Sequence, residues 1–318
     1  VKYLFGSVRA AAIVIFALAL GPAGCRPAPP QETAGLKVAA TIQPLASIVG
    51  EILGDRGTVS ALLPPGASPH TFEPLPGDLA RLEGTVLLVR IGVGIDQWSE
   101  RLLAASSAPL TTVTFLDLPD ARPRKWGDGD TRAHGDTGEA GQGGLDPHIW
   151  LDPIRVRDAL VPAVAEALAT ADPSGSQAYR LRAREYAERL AELDGEIRAQ
   201  LGDAEKRAFI AYHDTWRYFA QRYELEQVAS IEAYAGDEPT PAELGRLVAL
   251  ARANEITAVI MEPQLGERVA RNIADEIGAV LETADPLGDP SEPARADYLS
   301  TMRFSAHAFA RALGAPRP

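Results

Sequence analysis

The chain of 318 residues is poor in several things at once: it has one cysteine, two methionines, five histidines, and only 6% aromatic side chains. A single cysteine, Cys25, excludes an intramolecular disulfide. Basic residues are also in deficit, with 31 Lys and Arg against 43 Asp and Glu, a formal net charge of -12. Such a surface disfavours nucleic acid and welcomes cations, although most of these carboxylates serve only to keep a protein soluble. No apolar run is long enough to span a bilayer, because Ala10 to Leu20 supplies about a dozen residues where roughly 20 are needed. No internal repeat and no coiled-coil heptad is evident. Neither a His-Glu-x-x-His helix nor a Gly-x-Ser-x-Gly elbow is present, which counts against the common hydrolase frameworks.

An apolar fraction of 46% is enough to fill real cores, and the length suits two ordinary domains or one large one. The first residues read as an export signal: Lys2 and Arg9 flank the start, the apolar run follows, and Gly21 to Gly24 are small or turn-forming. Val1 is read as an initiator position. Cys25 comes directly after and resembles the cysteine of a bacterial lipobox, so lipid attachment there is expected. Pro22 departs from that pattern, which has an aliphatic residue three before the cysteine, and an ordinary secretory cut nearby is the alternative. Arg26 to Gly35 reads as a flexible tether. Removing residues 1–24 leaves 29 basic against 43 acidic residues, or -14. The protein is expected to work outside the cytoplasm.

From Leu36 onward, short apolar or β-branched runs alternate with helical patterns. Strands are expected at Leu36 to Thr41, Thr58 to Pro64, Thr85 to Ile91 and Thr111 to Phe115, with helices between them. A second series places strands at Arg207 to Tyr212, Leu225 to Ser230, Thr257 to Glu262 and Ala279 to Glu282. This is the rhythm of parallel, helix-covered sheets. A helix over Pro153 to Ala169 precedes the proline-free stretch Ser174 to Leu201, whose apolar spacing predicts a rod of roughly 40 Å at 1.5 Å per residue. The expected fold is α/β: two lobes, each a parallel sheet covered by helices, joined by one long rigid helix, with the site in the cleft. The corresponding divisions are 1–24 (signal), 25–35 (tether), 36–172 (first lobe), 173–202 (linking helix) and 203–318 (second lobe). Asp120 to Gly144, with seven glycines and almost nothing apolar beyond Trp126, reads as a solvated loop of the first lobe.

His70, His148, His213 and Asp285 all stand where a strand series hands over to a loop or helix. Ligands of open parallel sheets gather beyond the carboxyl ends of strands, so these four side chains are candidates to converge. Three imidazoles and one carboxylate suit four-coordinate zinc, whereas manganese draws more on oxygen. A lone loop histidine is more often a surface residue or turn-stabiliser, and Asp before Pro, as at Asp285, is a common turn signature.

The segments Pro69-His70-Thr71-Phe72-Glu73-Pro74, Asp146-Pro147-His148-Ile149-Trp150-Leu151-Asp152-Pro153, Tyr212-His213-Asp214 and Asp285-Pro286-Leu287-Gly288 resemble, in order and spacing, those of the zinc and manganese solute-binding proteins of ABC importers, the group that includes the metal-binding adhesin lipoproteins. Met261-Glu262-Pro263-Gln264 and Asp237-Glu238-Pro239-Thr240-Pro241 extend the resemblance, which runs from about Leu36 to the end. It implies two α/β lobes on a single long helix, His70, His148 and His213 as imidazole ligands, and Asp285 as the carboxylate. A histidine at the third place, where manganese-type members tend to have Glu, implies Zn2+ as the cargo and Mn2+ as second candidate. The implied partner is the membrane permease of an ABC importer, reached by a monomer tethered through its lipid. Zinc-type members often carry a histidine-rich loop before the second ligand; here Asp120 to Gly144 offers only His134.

Glu73, Trp150 and Trp216 are candidates to support the ligands, by orienting an imidazole or walling out water. Exposed surface for Glu73 and plain core packing for the two tryptophans are equal alternatives. His307, on the terminal helix expected over Pro293 to Leu313, reads as structural, and Glu262 receives no role. Two rival functions are a zinc-dependent hydrolase, which needs Glu73 or Glu262 as general base, and an adhesin-like surface protein.

Overall fold

The computed structural model describes residues 35–106, 110–125, 144–232, 236 and 239–315. The signal segment, Cys25, most of the tether, Trp126 and His134 of the glycine-rich loop, and Asp237 and Glu238 lie outside the described residues.

Among the described residues eight strands form two sheets. β1 (Leu36–Ala40), β2 (Gly57–Ala61), β3 (Leu87–Arg90) and β4 (Thr111–Thr114) make the first; β5 (Ala208–His213), β6 (Glu226–Glu232), β7 (Ala258–Met261) and β8 (Val280–Thr283) make the second. Every pairing is parallel, in the orders β2-β1-β3-β4 and β6-β5-β7-β8. The two sheets therefore repeat one topology. Strands covered on both faces read as unbroken apolar runs, and Ala258–Met261 is buried at all four positions.

Ten α-helical segments cover the sheets among the described residues: α1 (Gln43–Leu53), α2 (Pro76–Arg81), α3 (Trp98–Ala105), α4 (Pro153–Arg155), α5 (Val161–Ala171), α6 (Ser176–Gly202), α7 (Arg217–Arg222), α8 (Pro241–Ala253), α9 (Glu267–Ile277) and α10 (Tyr298–Ala312). Two differ from the sequence expectation. The single helix expected over Pro153 to Ala169 contains a π turn at Val156–Leu160, just before Pro162, which has no N–H to give to the carbonyl four residues back. The helix expected from Pro293 begins instead at Tyr298, after a 3-10 turn at Pro293–Arg295. Asp297 caps it, accepting from the Ser300 backbone N–H at 2.9 Å, while Ser300 Oγ accepts from the Asp297 N–H at 3.0 Å.

Helix α6 links the two sheets. Near its start Tyr179 donates to Asp172 (2.8 Å), and Arg182 and Arg189 reach Asp55 and Glu51 of the first lobe. Near its end Asp194 and Glu196 take Arg222 and Arg303 of the second. The helix runs unbroken through the exposed Gly195, where an added Cβ meets open space. One apolar cluster joins residues of both sheets, from Val38 and Leu88 to Phe209, Ile260 and Phe309; a smaller one lies under α8 and α9. Among the described residues no helix is long and apolar enough to cross a membrane.

Candidate metal centre

In each sheet the strand order reverses beside its first strand, between β1 and β3 and between β5 and β7, which is where open α/β sheets form a crevice. In the first sheet a carboxylate fills that position. Asp96 accepts from Thr41 Oγ1 (2.6 Å) and from the backbone N–H groups of Ile91 (2.7 Å) and Gly92 (2.9 Å). In the second sheet the crevice holds His213, the last residue of β5, and Glu262, the residue after β7.

Three imidazoles converge over this point. His70 comes from the loop after β2, His148 from the segment leading into the 3-10 turn Ile149–Leu151, and His213 from the end of β5. One ligand-capable atom from each lies within 4.8 Å of the others. The ring centroids are nearly equidistant: 5.3 Å for His70–His148, 5.2 Å for His70–His213 and 5.3 Å for His148–His213. His70 Nε2 and His148 Nε2 are 3.2 Å apart. A tetrahedral ion with Zn–N bonds of 2.0 to 2.1 Å has an edge of about 3.3 Å, so the spacing suits a shared cation.

Two of the rings are held at Nδ1 by a carboxylate. Asp146 Oδ1 lies 3.0 Å from both Nδ1 and the backbone N of His148. Glu262 Oε1 lies 2.6 Å from Nδ1 of His213, and the Thr215 hydroxyl lies against the same ring and 3.2 Å from that carboxylate oxygen. The backbone of Gly94 lies beside His70 and acts against the lowering of that ring. Gly94 takes a φ of 91°, a left-handed conformation that favours glycine, and packs against Pro147.

The electrostatics set His70 and His213 apart. Burial, then the neighbouring imidazoles of His148 and His213, push His70 well below the ordinary histidine value. Burial also acts to lower His213, but Glu262, with Asp214 and Glu232, outweighs it and raises that ring. The cavity among these groups measures about 20 Å³, room for about one water-sized sphere. Trp150 forms part of its wall, its ring 5.5 Å from His148 and its Nε1 donating to Pro286 O at 2.8 Å.

The other expected residues lie elsewhere. Asp285 is fully buried but stands outside the three-histidine group: Oδ1 accepts from Gln264 Nε2 and the Leu287 N–H, both at 2.9 Å, and Oδ2 pairs with Arg295. Glu73 is exposed. Trp216 is core, edge-on to Phe309 at 5.2 Å and Phe219 at 5.7 Å, because the turn after His213 points it away from the cavity. His307 is exposed on α10, 3.1 Å from Gln200 Nε2. Sequence reasoning missed Glu262 and Asp146 as partners of the rings. The Asp-x-His spacing at Asp146 was a usable signal; for Glu262 only its place at the end of an apolar strand was.

Comparison with known proteins decides the family. Residues 38–312 match the family described as zinc-uptake complex component A, periplasmic. The chain belongs to this family. Among curated relatives of this ZnuA family member, the high-affinity zinc uptake system protein ZnuA of Paracoccus denitrificans is 28% identical over 335 residues, covering 95% of this chain and 98% of the relative. The manganese-binding lipoprotein MntA of Halalkalibacterium halodurans is 26% identical over 308 residues, covering 94% and 97%. Among solved structures, a zinc-bound deletion mutant of ZnuA superposes with a TM-score of 0.72 at 33% identity, covering 89% of this chain and all of that one. The two helix-covered parallel sheets on one long helix are the fold of these binding proteins.

Proposed function

We propose that this chain is an extracytoplasmic receptor that binds one zinc ion in the cleft and delivers it to the membrane permease of an ABC importer. His70, His148 and His213 are the proposed donors. The near-equilateral imidazole cluster, with 3.2 Å between two Nε2 atoms, carries this reading. Nitrogen donors favour zinc over manganese both by ligand type and by the general affinity order. Zinc in the names of most of the similar proteins supports the same preference, and MntA keeps manganese as second candidate. Lipid attachment at Cys25, after removal of residues 1–24, would hold a monomer at the membrane, in the periplasm or at the cell surface.

A binder is favoured over a hydrolase by the state of the two carboxylates that a hydrolase would need. Glu73 is exposed, and Glu262 is tied to His213 Nδ1 and Thr215, so neither is placed to take a proton from an attacking water. The test is metal analysis of protein purified without chelator, followed by competition titration. One tightly bound zinc per chain is expected, lost in His148→Ala; two equally tight ions, or tight zinc retained in that variant, would overturn the proposal.

A further inference from the structure

Asp285 sits two residues beyond β8, and its neighbours Pro286 and Leu287 line the histidine cavity. Gln264, which donates to its Oδ1, lines the cavity as well. The carboxylate is thus one side chain removed from the three imidazoles. Two of its partners are neutral neighbours, and the third, Arg295 on Oδ2, carries a full charge.

Arg295 has a second carboxylate within reach. Its Nη1 pairs with Asp285, while its Nη2 lies 4.0 Å from Asp289 Oδ2. The guanidinium bridges a fully buried acid and a partly exposed one, with its own side chain 21% exposed. The loop between them is fixed. The Asp289 N–H donates to Arg295 O at 2.9 Å, and Thr301 Oγ1 donates to the same oxygen at 3.0 Å. Gly288, at a φ of 74°, lets the chain pass where a Cβ would stand 2.8 Å from that carbonyl. A change of partner by Arg295 therefore needs side-chain movement and no rebuilding of the loop. Among the described residues Gln264 Oε1 is buried without a hydrogen-bond partner, and its amide nitrogen donates to Asp285.

We propose that Arg295 determines the metal preference of the site by withholding Asp285 from it. With Arg295 on Asp285, the cluster presents three nitrogen donors and the acid is neutralised. With Arg295 drawn to Asp289, a carboxylate oxygen and its negative charge become available to the ion. Oxygen donors narrow the advantage of zinc over manganese, so the Arg295–Asp285 pair biases the site toward zinc. The proposal rests on the three-histidine reading above.

Competition titrations with zinc alone and manganese alone test it, on wild type, Arg295→Gln, Asp289→Asn and the double variant Arg295→Gln/Asp285→Asn. Arg295→Gln is expected to raise manganese affinity relative to zinc by about fivefold or more, the lower range of ordinary coupling between sites. The double variant should lose that gain. Asp289→Asn, which keeps the turn-stabilising side chain before Ser291, removes the alternative partner and should shift the ratio the other way. If Arg295→Gln does not fold, Asp289→Asn decides: a ratio within about twofold of wild type, the size of ordinary non-additivity, overturns the proposal. His148→Ala is run alongside. Zinc retained there sinks the three-histidine reading itself; zinc lost there, with an unchanged ratio in the Arg295 and Asp289 variants, sinks only the role of Arg295.

Discussion

Glu262 Oε1 stands 2.6 Å from Nδ1 of His213, joining the ends of two neighbouring strands of the second sheet. Asp146 Oδ1 stands 3.0 Å from Nδ1 of His148, two residues along the same segment. A carboxylate on Nδ1 fixes the ring's orientation and makes Nε2 the better donor. Both acids are buried, so their hold on the rings is little weakened by solvent.

Loss of either carboxylate should therefore weaken zinc without removing a ligand. Glu262→Gln and Asp146→Asn are each expected to lower zinc affinity on the order of 10- to 100-fold, the usual range for such supporting groups. Titration against a chelator measures this. Affinities unchanged from wild type would show that the acids do not tune the rings.

The pH dependence follows from the opposite displacements of His70 and His213. A metal displaces any proton still on its ligand, so a ring raised above the usual value of about 6.5 releases one on binding even near neutrality, whereas a depressed ring releases none there. His213 is raised, chiefly by Glu262 against the effect of burial, and His70 is lowered by burial. Zinc affinity should thus begin to fall at or above about pH 6.5 as the medium acidifies, and its slope near neutrality should stay below the limit of about three for three ordinary histidines. A profile flat from neutrality to about pH 5 would exclude His213 as a ligand.

Small lobe motion is expected. Beside helix α6, Trp150 Nε1 donates to Pro286 O (2.8 Å), Tyr298 OH to Trp150 O (2.6 Å) and Tyr218 OH to Asp146 O (3.2 Å), each tying first-lobe to second-lobe residues. These bonds and the shared core oppose a wide hinge. Small-angle scattering should give the same radius of gyration with and without zinc; a large compaction would contradict the bracing described.

Much of this was legible in the sequence where the pattern is local. Unbroken apolar runs gave the strands to within a few residues because buried parallel strands need them, and the proline-free spacing after Ser174 gave the long helix. The positions of His70, His148 and His213 at strand ends were legible for the same reason. What pairs with each was not. His213 and Glu262 are 49 residues apart, and no periodicity links them. Asp285 is followed ten residues later by Arg295 inside an irregular loop, where the spacing carries no signal that the two meet. Trp150 and Trp216 each lie close to a histidine in sequence, yet the turn after each histidine sends one ring to the cavity and the other to Phe309.

The strand that bears His213 alternates between two cores: Phe209 and Ala211 belong to the large cluster, Ile210 and Tyr212 to the small one. His213 is therefore anchored from both faces of its sheet, while His70 hangs from a loop and alone among the three rings is partly exposed. The face of the cluster nearest solvent is therefore the one closed by His70, on the stretch between Pro64 and Leu75.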